Sequence, residues 1–270
     1  MTPQRTKRPP VPRDSKGSSP QRRKGPPQPR EEGPQRIAKL LARAGIASRR
    51  EIERMIAEGR IALDGETITT PATLLKDVAG LTVDGRPVRP AKATRLYRFY
   101  KPQRALTAEF DPKGRTTIYD VLPKGLSRVM PVGRLDFMTE GLLLLTNDGE
   151  LKRQLELPKT GVVRTYRARA FGDVTQAQLE DLSEGVTIDG VRYGSIDANL
   201  ERGSGRNRWI EMNLTEGKNR EVRRVLEHLG LQVSRLIRTS YGPVTLEGLA
   251  PGEIEEVGAA ELDAFRACLK

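Results

Sequence analysis

A run of four leucines at positions 142–145 is the feature that most limits how this chain can fold. The run is too short for a helix that stands alone. It ends in Thr146-Asn147-Asp148-Gly149, a composition typical of a turn. We therefore predict that the leucines form a fully buried strand.

The segment before this strand, GRLDFMTEG at 133–141, places Asp136 two residues after Arg134. Gly133 and Gly141 allow a tight backbone path, so Asp136 is expected on a loop that the core holds at both ends. Loops that a rigid scaffold positions commonly carry catalytic or binding residues. We interpret Asp136 as a candidate nucleophile.

Charge points to a polyanionic partner. The chain has 47 Lys and Arg against 35 Asp and Glu, a net charge of +12, which favours nucleic acid. Residues 1–33 contribute +6 of this excess and are rich in Pro, Arg, Ser and Gln, so we predict a disordered basic tail. Such a tail either attracts RNA phosphates or only keeps the protein soluble, and both interpretations stay open.

Several kinds of chemistry are disfavoured by composition. Cys268 is the single cysteine and His228 the single histidine, which excludes disulfide frameworks and the usual zinc sites. His228 falls in an ordinary amphipathic helix pattern, so we expect it to have a structural or surface role rather than a catalytic one. No apolar stretch approaches the roughly 20 residues of a membrane span, and no signal-peptide core is present. The sequence thus favours a cytoplasmic, metal-free protein.

A small αα-β module is predicted over residues 34–93. Apolar residues recur at helical spacing from Ile37 to Ala44, Gly45 ends the first helix, and Ser48 with Glu51 forms a capping box for a second helix. A strand and hairpin turn follow. The stretch LLARAGIASRREIERMIAEGRIALDG at 40–65 resembles the small RNA-binding module first known from ribosomal protein S-four.

That resemblance makes four arginines candidates for RNA contact: Arg49, Arg50, Arg54 and Arg60. The alternative is that Arg49, Arg50 and Arg54 only form a solvated helix face.

Residues 94–270 are predicted to form a larger α+β domain with a mixed, mostly antiparallel sheet. One strand is expected over 162–171, in which Tyr166 shares a face with Ala168 and Ala170. Tyr166 there suits either core packing or base stacking.

A cationic helix is predicted near residues 220–229. Its apolar stripe contains Val222, Val225, Leu226 and Leu229. At 100° per residue Arg223 falls beside the stripe, where a guanidinium usually needs a carboxylate, whereas Arg220 and Arg224 fall nearly opposite and are free to reach phosphates.

These motifs together resemble the pseudouridine synthases, in the branch that contains synthase A of the small ribosomal subunit together with synthases B, E and F of the large one. The resemblance covers about residues 35–252 and rests on the RNA-binding module, Lys101-Pro102, GRLD, RTYRARAFG and the block EGKNREVRRVLEHLGLQVSRLIRTSYG. One departure is Arg104, where relatives commonly have glycine.

The resemblance also implies roles for individual residues. Asp136 matches the family nucleophile, Tyr166 the tyrosine that stacks on the target base, and Arg223 the basic residue that pairs with the aspartate. Leu236 matches the apolar residue near the flipped uracil, and Arg134 lies next to the displaced base. With Lys218, Arg220 and Arg224, these residues make up the predicted substrate site.

The function that the resemblance implies is isomerisation of uridine in ribosomal RNA, expected to be that of the large ribosomal particle, without cofactor or metal. The expected partner is ribosomal RNA or an assembling ribosomal particle, and the expected state is a monomer without membrane contact. The alternative is a non-catalytic RNA-binding or ribosome-assembly protein that keeps the fold. A nuclease or a general RNA-binding factor is a third hypothesis, which predicts either dependence on metal ions or no product at all.

Overall fold

The computed structural model describes residues 33–201 and 205–269. The basic tail predicted for residues 1–33 lies outside these ranges except for Gly33. Within the described ranges, no helix is long and apolar enough to cross a membrane.

The first part of the described chain is a small α+β module with its own hydrophobic core. Its elements are β1 (Gln35–Arg36), α1 (Ile37–Arg43), α2 (Arg49–Ala57), β2 (Ile61–Leu63), β3 (Glu66–Thr67), β4 (Leu74–Leu75), β5 (Leu81–Val83) and β6 (Arg86–Pro87). The strands form a four-stranded sheet in the order β3-β2-β5-β6 and a separate β1-β4 pair. The predicted pair of helices followed by strands is confirmed.

The start of α2 shows why these residues fold locally. The Ser48 hydroxyl accepts a hydrogen bond from the backbone N–H of Glu51 at 3.2 Å, which satisfies a donor that the helix leaves unpaired. Ile52, Met55 and Ile56 then face the core at helical spacing. The exposed residues of the helix are Arg49, Arg50 and Arg54 together with Glu53 and Ala57.

The rest of the described chain is a larger α+β unit. Its helices are α3 (Ile118–Val121), α4 (Gly149–Glu156), α5 (Gln176–Glu180), α6 (Glu221–His228) and α7 (Ala259–Cys268). Its strands are β7 (Leu96–Lys101), β8 (Met130–Pro131), β9 (Glu140–Thr146), β10 (Arg164–Phe171), β11 (Val186–Ile188), β12 (Val191–Tyr193), β13 (Ile196–Leu200), β14 (Asn207–Leu214), β15 (Gln232–Tyr241), β16 (Val244–Thr245) and β17 (Ile254–Glu256). Two 3₁₀ turns cover Pro158–Thr160 and Asp181–Glu184.

A nine-stranded sheet is the centre of this unit. Seven strands follow in the order β13-β14-β10-β15-β9-β7-β17, while β16 pairs with β15 and β8 with β9. The β15–β9 pair is parallel and the other pairs of this sheet are antiparallel. The α+β class with a mixed, mostly antiparallel sheet is therefore confirmed.

The leucine run forms the middle of β9, as predicted. Leu142 to Leu145 are all 0% exposed because β9 lies between β15 and β7 and is covered on both faces. Gly141, at the start of this strand, has φ +103°. A Cβ atom there would lie 2.4 Å from the carbonyl oxygen of Arg238, so only glycine lets β9 approach β15 this closely.

Two elements differ from their predicted bounds in ways that affect the site. The sequence predicts a strand over 233–237 with Arg238 after its end, whereas β15 runs on to Tyr241, so Arg238 is a strand residue. Helix α6 begins at Glu221, and Arg220 precedes it in the left-handed conformation with φ +51°. The helical-wheel argument therefore holds for Arg223 and Arg224 but not for Arg220.

Candidate active site

Asp136 lies on the loop between β8 and β9, where its side chain is 37% exposed at the edge of a cavity of about 1010 Å³. The start of the loop is anchored to β9, since the Val132 N–H donates to the Leu144 carbonyl at 2.8 Å. Leu135, immediately before Asp136, is buried. The loop that carries the carboxylate is thus held in place by the core, as the sequence predicted.

Side chains from two other segments hold this loop before Asp136. The Gly133 N–H donates to the Glu156 carboxylate of α4 at 2.6 Å. Thr107 brackets Leu135, since its hydroxyl donates to the Leu135 carbonyl at 2.9 Å and accepts from the Leu135 N–H at 3.2 Å. Local order at this level is what a catalytic group needs to keep its position.

The far side of the loop is held by the segment that contains Lys101. The Thr139 N–H donates to the Asp136 carbonyl at 3.0 Å, and the buried Lys101 ammonium donates to the Thr139 carbonyl at 2.8 Å. Burial lowers the pKa of Lys101 to about 8, against the opposing effect of the charges of Asp136 and Glu140. The Arg104 N–H donates to the Phe137 carbonyl at 2.7 Å.

Arg104 has φ +61°, a conformation that a residue with a side chain adopts at a cost of about 1–2 kcal/mol. The departure from glycine at position 104 therefore leaves the backbone in a glycine-like conformation although the residue is arginine.

The cation that pairs with Asp136 is Arg220, which corrects the expectation of a pair with Arg223. A nitrogen of Arg220 lies 3.6 Å from an oxygen of Asp136. Arg220 reaches the cavity because its left-handed backbone takes it off the regular face of α6.

Arg223 is buried beside the apolar stripe of α6, as its position on the helix predicts, but its guanidinium binds backbone. It donates to the carbonyls of Met138 and Val233, both at 3.2 Å. Burial and the charge of Arg220 lower the pKa of Arg223, and the Asp136 charge opposes this. The charge of Asp136 thus acts on Arg223 although the two residues do not form an ion pair. The bond to the Met138 carbonyl connects α6 to the loop that follows Asp136.

Tyr166 lines the cavity from β10 and packs against two core clusters of the sheet. Its hydroxyl is 3.5 Å from Arg238, whose guanidinium carbon lies 6.0 Å from the ring centre. Leu236, two residues before Arg238 on β15, is buried and also lines the cavity. An aromatic face and an aliphatic side chain thus lie in the cavity that Asp136 borders.

Arg238 is a site residue that the sequence analysis did not identify. It is 2% exposed, and its Nε donates to the Leu142 carbonyl at 2.8 Å. The signal was available: Leu236 and Arg238 are two residues apart, so in one strand they share a face. The prediction ended the strand at Ile237 and lost that relationship.

The other predicted substrate residues divide into two groups. Arg134 and Lys218 line the cavity, and Lys218 pairs with Glu216 at 2.5 Å. Arg224 lies outside the cavity lining, is exposed on the opposite face of α6 and contacts the Tyr193 hydroxyl at 3.4 Å.

A pair of carboxylates underlies the segment that carries Lys218 and Arg220. Glu221 is buried, and one of its oxygens accepts the Lys218 N–H at 2.8 Å, while the other has no donor. Burial and the hydrogen bond with Glu216 raise the pKa of Glu221 to about 7. A proton on Glu221 would let the second oxygen donate to Glu216, which itself accepts the Gly194 N–H at 2.7 Å.

The module contributes cations to the same cavity. Lys39, Arg43 and Arg49 line it, and Lys39 forms an ion pair with Glu150 of α4 at 3.8 Å. Arg50 is exposed next to Arg49 but does not line the cavity.

The other two arginines predicted to contact RNA are engaged within the module. Arg54 pairs with Glu51 at 2.6 Å, and Arg60 binds both oxygens of Asp84 at 2.7 and 2.8 Å. These pairs are solvent-exposed, so they stabilise the fold little and can yield to a phosphate.

In the described ranges, no group of three His, Cys, Asp or Glu side chains is arranged to hold a metal ion. Several carboxylates line the cavity, and Asp136 is the one carried by the loop that is held at Gly133, Leu135 and Thr139. Tyr166, Arg220 and Arg238 belong to the same lining.

Two family models match the chain. Residues 95–228 match the RNA pseudouridylate synthase model, and residues 35–78 match the S4 domain model. A solved structure described as a pseudouridylate synthase shares the fold, with a TM-score of 0.60 at 24% identity over 84% of this chain and 98% of that one.

Named relatives are closer in sequence. An RNA pseudouridine synthase of Rickettsia bellii, described as uncharacterized, is 43% identical over 83% of this chain and 96% of its own length. Ribosomal large subunit pseudouridine synthase B of Pasteurella multocida is 41% identical over 94% of this chain and 76% of its own length, and that of Salmonella typhimurium is 42% identical over 86% and 82%. On these matches the chain belongs to the RNA pseudouridine synthase family and is an isomerase that carries an S4 domain.

Proposed function

We propose that this enzyme isomerises one or a few uridines of large-subunit ribosomal RNA to pseudouridine. The observation that carries the proposal is the Asp136 carboxylate at the edge of a cavity that also holds Tyr166, Leu236 and a set of arginines. The choice of RNA rests on the relatives named ribosomal large subunit pseudouridine synthase B. We further propose that the enzyme acts in the cytoplasm as a monomer, on free or assembling ribosomal RNA.

The reaction moves one bond. The bond between C1′ of the ribose and N1 of uracil breaks, the base turns, and a bond forms between C1′ and C5. The C5 hydrogen leaves as a proton to solvent, and N1 gains a proton. No electrons are gained or lost, so the exchange needs no oxidant or reductant.

Asp136 is proposed as the nucleophile of this exchange. It is exposed enough for a ribonucleotide to reach, and the loop around it is held at Gly133, Leu135 and Thr139. Arg220, at 3.6 Å, supplies a countercharge from the side of the cavity. A nucleotide that enters displaces water from this pair and strengthens it.

Base flipping is the second part of the proposal. The target base lies too deep in a stacked RNA helix for Asp136 to reach, and unstacking it costs a few kcal/mol. The Tyr166 ring offers a surface for the extruded base, Leu236 an apolar contact, and Arg134 a side chain for the space the base leaves. Stacking of one base on an aromatic ring is worth about 1–3 kcal/mol, which is comparable to the unstacking cost.

The division of labour along the chain is also proposed. Residues 34–93 bind RNA, residues 94–270 catalyse, and residues 1–33 add a basic tail. The separate hydrophobic core of the module supports this division.

Mapping pseudouridine in a strain that lacks the gene tests the proposal. We expect the loss of one or a few sites in large-subunit ribosomal RNA, restored by the wild-type gene but not by Asp136→Asn. Loss of a site in small-subunit RNA or in transfer RNA instead would overturn the substrate assignment. Full restoration by the Asp136→Asn gene would overturn the role of Asp136.

A further inference from the structure

Phe110 is the most exposed large apolar side chain among the described residues, at 79%. It lies on the loop between β7 and α3 and contributes little to any core. Single exposed apolar residues are common on protein surfaces, so exposure alone says little. Phe110 differs from such residues because its loop is ordered and is hydrogen-bonded to the loop that carries Asp136.

The residues around Phe110 are held in place. The next residue, Asp111, is 8% exposed, and its carboxylate accepts hydrogen bonds from the backbone N–H, Nε and Nη2 of Arg115 at 2.9, 3.0 and 2.9 Å. These bonds lower the pKa of Asp111 to about 2. An aromatic ring that stands on an ordered loop loses little freedom when it binds a partner.

The same loop is joined to the catalytic loop on both sides of Asp136. Before Phe110, Thr107 exchanges two hydrogen bonds with Leu135. After it, the Arg115 guanidinium lies 5.9 Å from the centre of the Phe137 ring. Three residues of chain span at most about 10 Å, so the Phe110 backbone lies within that distance of Thr107 and hence near the loop that carries Asp136.

The surroundings of Phe110 suit a nucleotide better than a protein surface. Ala108 and Glu109 line the active-site cavity, and Glu109 is paired with Arg128 at 3.1 Å. Phe110 lies between Glu109 and Asp111, whose carboxylates are paired with Arg128 and Arg115, and Lys113 is exposed nearby, so positive charges outnumber negative ones by three to two. A single exposed aromatic ring without a wider apolar patch, in surroundings that do not repel phosphates, suits stacking on an unpaired base.

We infer that Phe110 stacks on an unpaired base of the RNA that neighbours the uridine isomerised at Asp136, and so helps to select the substrate. The inference rests on the proposed function. It names a second stacking surface, outside the pocket that holds the target base.

The test uses the full-length enzyme and the stem-loop of large-subunit ribosomal RNA that carries the mapped uridine. For Phe110→Ala we expect Kd and KM to rise about 5-fold to 150-fold, while the rate at saturating RNA stays within about 3-fold of wild type. Phe110→Trp should bind at least as well as wild type. Phe171→Ala, which removes another exposed phenylalanine from β10, is the matched control and should change Kd less than about 2-fold.

Abasic nucleotides in the RNA identify the partner. Bases next to the target are removed one at a time. At one position the abasic nucleotide should weaken RNA binding by the wild-type enzyme, whereas the affinity of Phe110→Ala, already reduced, should not fall further with that RNA. If Phe110→Ala binds RNA as wild type does, or if every abasic RNA weakens both proteins equally, the inference is wrong. A defect seen only with assembled ribosomal particles would mean a protein partner and would also overturn it.

Failure of the inference and failure of the proposed function are distinguishable. Equal affinities of wild type and Phe110→Ala, with pseudouridine formed by both, refute the stacking role alone. Absence of product with the wild-type enzyme refutes the substrate assignment, and the Kd comparison still decides the role of Phe110.

Discussion

The guanidinium of Arg220 lies 3.6 Å from the carboxylate of Asp136, and it comes from a residue that precedes helix α6. Arg223, three residues later and buried in the same region, donates to two backbone carbonyls instead. The two arginines therefore have separable roles.

Arg220→Ala should lower kcat/KM while leaving stability almost unchanged. Its side chain is 45% exposed, so the fold does not depend on it, but the countercharge next to Asp136 is lost. We expect a fall on the order of 10- to 100-fold, somewhat less than for a fully enclosed donor. Steady-state kinetics and thermal unfolding measure both quantities. An unchanged kcat/KM would contradict the role of the pair.

Arg223→Ala should act mainly through the fold. Removing the guanidinium leaves the carbonyls of Met138 and Val233 without their donors in a buried region, which should lower the free energy of unfolding by about 2–4 kcal/mol. Chemical denaturation checks this, with Arg224→Ala as the control from the exposed face of the same helix. Equal stabilities for the two variants would contradict the assignment.

Arg104→Gly should stabilise the protein. The φ of +61° is strained for arginine and free for glycine, although glycine also adds entropy to the unfolded chain. The expected net gain is about 0.5–1 kcal/mol. Arg104→Ala keeps the strain and removes the side chain, so it should show no gain. If Arg104→Gly is no more stable than Arg104→Ala, backbone strain is not the cause.

Glu221→Gln should change how stability depends on pH. Folding raises the pKa of Glu221 from 4.5 to about 7, so between these pH values the folded state binds more protons than the unfolded state. The contribution of Glu221 to the free energy of unfolding is thus fully present below about pH 4.5 and is lost as the pH rises through 7. The glutamine variant keeps a neutral side chain throughout.

Chemical denaturation at pH 5 and pH 8 measures the free energy of unfolding that depends on the Glu216 and Glu221 carboxylates. At pH 8 Glu221→Gln should be more stable than wild type by on the order of 1–3 kcal/mol, and at pH 5 the two should be similar. Glu227→Gln, an exposed neighbour on α6, should show no such dependence. A constant difference between wild type and Glu221→Gln at both pH values would contradict the shared proton.

Much of the fold was predictable from local patterns. The leucine run predicted β9 because four consecutive leucines before a turn favour a strand that is buried on both faces. The helical period predicted that Arg223 is buried. The Arg220–Asp136 pair was not predictable in this way, since it depends on a left-handed residue at a helix start and on two segments that meet only in the tertiary structure. The spacing of Arg238 from Leu236 could have placed it on the site face of β15, but its bond to the Leu142 carbonyl depends on the pairing of β15 with β9 at Gly141.

Asp136→Asn tests the central claim most directly. Its side chain is partly exposed, so the variant should fold and bind ribosomal RNA like wild type. The C5 hydrogen leaves the base during isomerisation, so RNA labelled with tritium at C5 of uridine reports the reaction as tritium released to water. We predict release by the wild-type enzyme and none above background by Asp136→Asn. Release by the variant at the wild-type rate would contradict the assignment of Asp136 as the nucleophile.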